Sequence, residues 1–236
     1  MTIKNLILSI SCLLIFSATV ISCKKDSSNT TSAPKLVGSS YTEEFDTVTS
    51  AYDRGWRFLN RSTPVGASEW VTADTTLFTT TSAYSNSSSN PGFIMCDNTT
   101  LCFGKIPDGV GSNWLVSPST VMKNGDSIVF YAMSADNTFE DRLQLRINPS
   151  DDSLSVGLGT DVGRFTNLLL DINPMYDQSI NPFQNTWTRY SAKIYGLSKP
   201  IVGRFAFRSF LQYNGGLYYM AGSAIGIDQV SYISVP

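Results

Sequence analysis

The chain has no histidine among its 236 residues. That absence removes every His-based catalytic triad, every His-ligated zinc or haem site, and the imidazole switch that titrates near neutrality. Charge is also scarce: 17 Lys and Arg against 19 Asp and Glu amount to 15% of the residues, with a formal net charge of -2. Globular proteins average about 25% charged residues, and nucleic-acid binding needs a basic footprint, so nucleic acid is excluded as a partner. No window of a dozen residues places apolar positions at i, i+3, i+4 and i+7 behind a capping residue, which argues against long amphipathic helices. Cysteine is limited to four positions, and their spacing fits neither a CxxC redox pair nor a zinc site.

What is present begins with an address. Lys4 precedes an apolar stretch from Leu6 to Ile21 that is interrupted by Ser9, Ser11, Ser17 and Thr19. A membrane-spanning helix needs about 20 mainly apolar residues, so this shorter, Ser-broken run has the layout of a signal peptide. It ends on Val20-Ile21-Ser22-Cys23, which resembles the lipobox of bacterial lipoproteins, where the Cys thiol receives a diacylglycerol before cleavage. The expectation is a signal peptide over 1–22, lipidation of Cys23, and a membrane attachment through that lipid on a Gram-negative envelope, most simply the outer membrane. Residues 23–38 hold almost no apolar side chain and read as a flexible tether, which leaves 39–236 as the folded body.

Within that body the apolar period is two. Leu143, Leu145 and Ile147 alternate with Gln144 and Arg146, and Phe205 and Phe207 alternate with Arg204 and Arg208. Thr188, Tyr190, Ala192 and Ile194 alternate with Trp187, Arg189, Ser191 and Lys193, whereas Ser127 to Met133 is a more continuous apolar strand. Turn residues punctuate these runs at Asn124-Gly125-Asp126, Asn148-Pro149-Ser150, Asn173-Pro174, Gly196 to Pro200 and Asn214-Gly215-Gly216. Phe165 to Ile172 fits either a strand or a single helical turn. The pattern predicts an all-β fold, a single antiparallel β-sandwich of jelly-roll type. In the last strand Ile225 and Ile227 share one phase and Val230 and Tyr232 the other, which predicts a β-bulge near Asp228-Gln229.

Catalytic signatures are weak. Gly66-Ala67-Ser68-Glu69-Trp70 lacks the last Gly of a nucleophile elbow, and Gly157 to Gly163 departs from GxGxxG without a βαβ context. Nothing marks Glu69, Glu140 or Asp171 as a general acid. Aromatics point instead to binding, because flat rings pack on the C–H faces of sugars. Tyr213, Asn214, Tyr218 and Tyr219 surround a mobile Gly pair, and Tyr176 stands in a second long connection, so these five are the candidate ligand-binding residues. Trp56, Trp70, Trp114 and Trp187 read as core. Cys96 and Cys102 flank five residues of a probable hairpin tip and either form a disulfide or remain half-buried thiols.

Six stretches in order, Glu44-Phe45-Asp46, Gly55-Trp56, Asn113 to Pro118, Asp141-Arg142-Leu143, Arg204 to Arg208 and Ile225 to Asp228, resemble the choice-of-anchor J family, related to cleaved-adhesin and MAM-like domains. The resemblance implies a jelly-roll sandwich on bacterial surfaces, associated with adhesion and carbohydrate binding and not with catalysis. It also implies one structural Ca²⁺ between the first and last strands. Glu44 and Asp46 share a face by alternation and Asp228 sits at the bulge, so these three either ligate that ion or are ordinary strand carboxylates. The stretch Asp136-Asn137 with Glu140-Asp141 is a lesser oxygen-rich candidate. The expected partner is a glycan, or an envelope or host glycoprotein; an accessory subunit of an envelope complex is the alternative, with a glycan-active enzyme behind both.

Overall fold

A computed structural model describes residues 38–73, 83–84, 92–100, 109–136, 138–177, 179, 183–212 and 222–236. Thirteen strands run through them in two main antiparallel sheets. The first sheet joins β1 (Tyr41–Glu43), β3 (Val71–Thr72), β4 (Ile94–Asp97), β7 (Ser127–Ser134), β10 (Thr188–Lys193) and β13 (Ala224–Ile233), in the order β10-β7-β13-β4-β3 with β1 also on β13. The second joins β2 (Arg57–Asn60), β5 (Val110–Val116), β8 (Leu143–Ile147), β9 (Asn167–Ile172) and β12 (Phe205–Gln212), in the order β2-β5-β12-β8-β9. A small ribbon pairs β6 (Thr120–Met122) with β11 (Ile201–Gly203). The chain crosses repeatedly from one sheet to the other, and the expected antiparallel β-sandwich is what forms. Phe165 to Ile172, readable either as a strand or a turn of helix, contributes strand β9.

Alternation decides what lies between the sheets. Leu143, Leu145, Ile147, Phe205 and Phe207 of the second sheet meet Ile94, Ile128, Phe130, Ile225 and Ile227 of the first in one apolar cluster. Phe130 contacts Phe207 edge-on at 4.8 Å between ring centres, and Phe205 does the same to Trp56 at 5.7 Å. Each such ring removes enough apolar surface from water that its truncation to alanine would cost about 3–5 kcal/mol.

The bulge forms where the phase change predicts it. The β13–β7 register shifts between Asp228 and Ser231, and Gln229 takes φ 45°. The extra residue lets Ile225 and Ile227 on one side of it, and Val230 and Tyr232 on the other, all reach the core. Tyr232 then donates to the Asp126 carboxylate, which also accepts from the backbone N–H groups of Lys123 (2.9 Å) and Val235 (2.9 Å) and so ties down the C-terminal end. A six-residue helix, α1 (Val48–Asp53), was not legible in the period. It is capped by Thr47, whose Oγ1 accepts from the Ser50 N–H at 3.1 Å, and it stops at Gly55, whose φ of 101° suits glycine.

Candidate functional site

The outer face of the second sheet carries the most organised polar chemistry among the described residues. The register builds it: Leu59 pairs with Trp114, Trp114 with Arg208, Arg208 with Gln144, and Gln144 with Asp171. Residues directly opposite on neighbouring strands share a face, so these five form one transverse row across β2, β5, β12, β8 and β9. The row beside it places Val116, Ala206 and Arg146 side by side. On the other flank lie Ser112 and its partner Phe210, with Arg142 just before β8 accepting the Phe210 N–H on its carbonyl at 3.2 Å.

Side-chain bonds turn the rows into a lattice. Arg142 grips Asp171 with Nε at 2.8 Å and Nη2 at 2.6 Å, and Gln144 Nε2 donates to the same carboxylate at 3.0 Å. Gln144 Oε1 in turn accepts from Arg146 Nε at 2.9 Å. Arg208 donates to Ser112 Oγ at 2.9 Å and to the Gly159 carbonyl, and its guanidinium lies 3.9 Å from the Phe210 ring centre and 4.9 Å from that of Trp114. Arg142 stands 5.3 Å from each of the Phe210 and Tyr176 ring centres.

The three arginines have different surroundings. Burial opposes the Arg142 charge, but Asp171 and Tyr176 outweigh it and hold that guanidinium above its ordinary value. Arg146 is lowered by burial, with Arg142 adding to the effect and Asp171 opposing it. Arg208 is 1% exposed, and burial, reinforced by the Arg146 and Arg142 charges, pulls it down to about 9. Among the described residues neither Arg146 nor Arg208 forms an ion pair. The sequence pattern assigned Arg208 to a wet face; the structure buries it between two rings and under Gly159, because β12 is central in the sheet and residues beyond β8 fold back over it.

Of the residues singled out from the sequence, Tyr176 is on this face. Its hydroxyl donates to the Phe210 carbonyl at 3.0 Å and its ring packs on Arg142, which holds its backbone at φ 54°, a conformation that costs a non-glycine residue about 1–3 kcal/mol. Tyr213, Asn214, Tyr218 and Tyr219, which follow Gln212 at the end of β12, lie outside the described residues, as do Cys23 and Cys102. Cys96 is a buried free thiol that accepts from Asn113 Nδ2 at 3.3 Å, and burial pushes it up to about 12, so it is no nucleophile at neutral pH.

Asp228 lies in β13, and Glu44 and Asp46 lie in the segment that follows β1. β1 ends at Glu43, and Phe45 turns to φ 51° with its ring buried, so the alternation from which Glu44 and Asp46 were expected to share a strand face does not continue through them. The buried acid is Glu43, held by Arg54 Nε at 2.8 Å and the Phe45 N–H at 3.0 Å. Asp228 is fully buried at the bulge, while Glu44 and Asp46 are partly exposed. The Asp46 backbone passes close over Gly92, where a Cβ would stand 2.0 Å from the Asp46 carbonyl oxygen. Among the described residues no three His, Cys, Asp or Glu side chains gather into one group.

Two clefts are also formed among the described residues, the first of them reaching Leu59 at the end of the row. One of about 470 Å³ is lined by residues 58–61 and 65–69, and one of about 430 Å³ by Tyr41, Glu43, Arg54, Trp56 and residues 118–121. Neither has the lattice's density of fixed polar groups.

No protein-family model matches the chain, and no curated protein matches its sequence. Solved structures do match. The K1 cleaved adhesin domain of Lys-gingipain from Porphyromonas gingivalis W83 superposes with a TM-score of 0.50 at 15% identity, covering 84% of this chain and 100% of that domain. The K3 domain of the same protein gives the same values, and the K2 domain matches at TM-score 0.50 and 15% identity over 83% of this chain and 100% of its own. The chain has a cleaved-adhesin-like fold. At this identity the likeness speaks to architecture, and the site rests on its own geometry.

Proposed function

We propose that this protein is a non-catalytic, lipid-anchored binding module of a Gram-negative cell envelope that holds a glycan on the outer face of its second sheet. The observation that carries the reading is the partly open edge of the lattice, Asp171 with Arg142, Arg146 and Tyr176, held in place from beneath by the buried Trp114, Arg208 and Gln144 of the same row. Sugar recognition needs planar hydrogen-bonding groups fixed in place beside flat apolar surfaces. Here every polar member is already oriented by another, so little side-chain entropy remains to be lost on binding. Both Asp171 oxygens are engaged by Arg142 and Gln144, an arrangement that orients groups for recognition.

Membership of the choice-of-anchor J family, the acyl anchor on Cys23 and stacking by Tyr213, Tyr218 and Tyr219 with Asn214 beside them belong to the same proposal. The adhesin-like fold and the lipobox pattern support it. Affinity electrophoresis of the purified mature protein through gels containing soluble polysaccharides tests the binding. Retardation by a polymer, reduced in Tyr218→Ala/Tyr219→Ala and in Gln144→Ala, is the expected result. Uniform mobility across a broad panel would overturn the glycan reading and point to a protein partner. For the anchor, Cys23→Ser is expected to move the protein from the membrane fraction to the soluble one.

A further inference from the structure

We infer that the ligand of this face is an acidic polysaccharide, a chain carrying carboxylate or sulfate groups, and that Arg146 is the residue that meets its charge. The inference rests on the glycan reading above and adds the chemical class. It starts from a charge imbalance within the lattice. Three guanidiniums, Arg142, Arg146 and Arg208, are linked through Gln144 and Asp171, and Asp171 is the one carboxylate bonded to any of them among the described residues. Asp171 is committed to Arg142. Arg146 and Arg208 are satisfied only by neutral acceptors: Gln144 Oε1 and the Phe165 carbonyl for Arg146, and Ser112 Oγ, Gln144 Oε1 and the Gly159 carbonyl for Arg208.

Neutral dipoles orient a guanidinium without cancelling its charge, so the face keeps an excess of positive potential. The nearest further acid acting on Arg208 is Asp161, whose Oδ1 is occupied by the Gly163 N–H at 3.0 Å and which is exposed to solvent. The segment 213–221 that follows β12 contains no Asp or Glu and brings no counter-charge of its own. This excess is local, because the whole chain is net negative at -2. An acidic polymer is therefore repelled by the protein as a whole and gains only where the arginines stand, which favours a specific site over diffuse ion exchange.

Arg146 is the accessible member. Arg208 is sealed at 1% exposure, whereas Arg146 is half-buried and uses Nε and Nη1 in the contacts above, leaving Nη2 without a partner among the described residues. A guanidinium edge held in place suits the two oxygens of a carboxylate or sulfate. Burial of Arg208 beside the Arg146 and Arg142 charges is unfavourable, and an anion held by Arg146 would relieve it.

The test uses matched pairs of polymers that differ only in charge. Full-length mature protein is titrated with polygalacturonate against highly methyl-esterified pectin, and with a sulfated glycosaminoglycan against its desulfated form, each at low and high salt. The expected result is binding to the charged member of at least one pair, weakened by salt. Arg146→Gln should weaken it about tenfold, the loss of one charge-assisted hydrogen bond, while its unfolding midpoint in urea falls only slightly below that of the wild type. Arg146→Lys should recover part of the affinity. The pair that responds identifies carboxylate or sulfate as the group read. Equal binding to charged and neutral members, insensitive to Arg146→Gln, would overturn the charge inference and leave the glycan reading standing. Binding of acidic polymers unchanged in Arg146→Gln would overturn the assignment to this face. Failure to bind any polysaccharide, charged or neutral, would overturn both.

Discussion

The two outer faces of the sandwich stand on similar antiparallel backbones and are closed in opposite ways. On the first sheet, Phe93, Met95, Met133 and Ala224 pack with Ala83 into a small dry cluster, with Trp187 set edge-on to Phe93 at 5.1 Å. On the second sheet, Trp114, Val116, Ala206, Val156 and Phe165 cover one part, and the remainder is the arginine lattice. An apolar cover stabilises by burial alone. A lattice of guanidiniums costs desolvation that neutral hydrogen bonds only partly offset. A fold has no structural need for the second kind of cover when the first serves as well across the core, and this contrast supports the proposal that the second sheet is the binding face.

The contrast can be broken from either side. The largest effect is expected from Phe93→Ala, which removes a fully buried ring from the dry cover: unfolding free energy in urea should fall by about 3–5 kcal/mol while polysaccharide affinity of the folded protein is unchanged. A parallel loss of affinity at temperatures where the variant is folded would show that the faces are not independent.

Asp141 sharpens the comparison because it joins the two sheets. Just before β8, it accepts from Ser134 Oγ at 2.6 Å at the end of β7, and from Ser223 Oγ at 2.8 Å and Ser223 N–H at 3.0 Å just before β13. Burial raises its pKa from 3.8 to about 6, against the opposing hydrogen bonds of those two serines. The folded state therefore holds this proton more tightly than the unfolded chain. Its contribution to stability is greatest below about pH 4 and declines as pH rises through 6, by about 3 kcal/mol in all. Asp141→Asn cannot ionise, so the stability difference between wild type and variant should move against the wild type across that window. A difference independent of pH would refute the assignment.

Arg208→Met comes next. It keeps much of the side-chain volume but strips the donor from Ser112 Oγ and the Gly159 carbonyl, so a loss of about 1–3 kcal/mol in urea unfolding is expected, together with weaker polysaccharide binding. A variant as stable as the wild type, or more so, would overturn that expectation. The smallest effect on stability is that of Arg146→Gln, about 1 kcal/mol, because its bonds to Gln144 Oε1 and the Phe165 carbonyl are lost at a site partly open to water. Set beside Phe93→Ala, it would separate the two faces: one variant changes folding without binding, the other changes binding far more than folding.

Much of the architecture was legible because strand alternation is a local property. Leu143, Leu145 and Ile147 announce an inward face within five residues, and the phase change from Ile227 to Val230 announces a bulge within four. Less of the site was legible. Gln144 and Arg146 read as ordinary wet-face residues, and nothing within β12 shows that Arg208 is sealed. Glu44 and Asp46 read as strand residues sharing one face because alternation was extended beyond the true end of β1, where Phe45 turns the chain. Short α1 escaped because one and a half turns hold too few residues for a helical period to emerge.

The amino-acid sequence by itself determined the strands at 127–133, 143–147, 188–193, 205–207 and 225–232 and the alternation of side chains along each, together with the lipobox-like run at Cys23 and the absence of histidine chemistry. Those follow from nearest-neighbour geometry and side-chain type. Only the tertiary structure decided that Trp114, Arg208, Gln144 and Asp171 fall in one row, since the bonds that make the row span 96 residues from Arg208 to Ser112 and 64 from Arg208 to Gln144. Register between strands so distant in the chain is set by how the whole sandwich packs, and a one-residue slip in any pair would have sent its side chains to the opposite face.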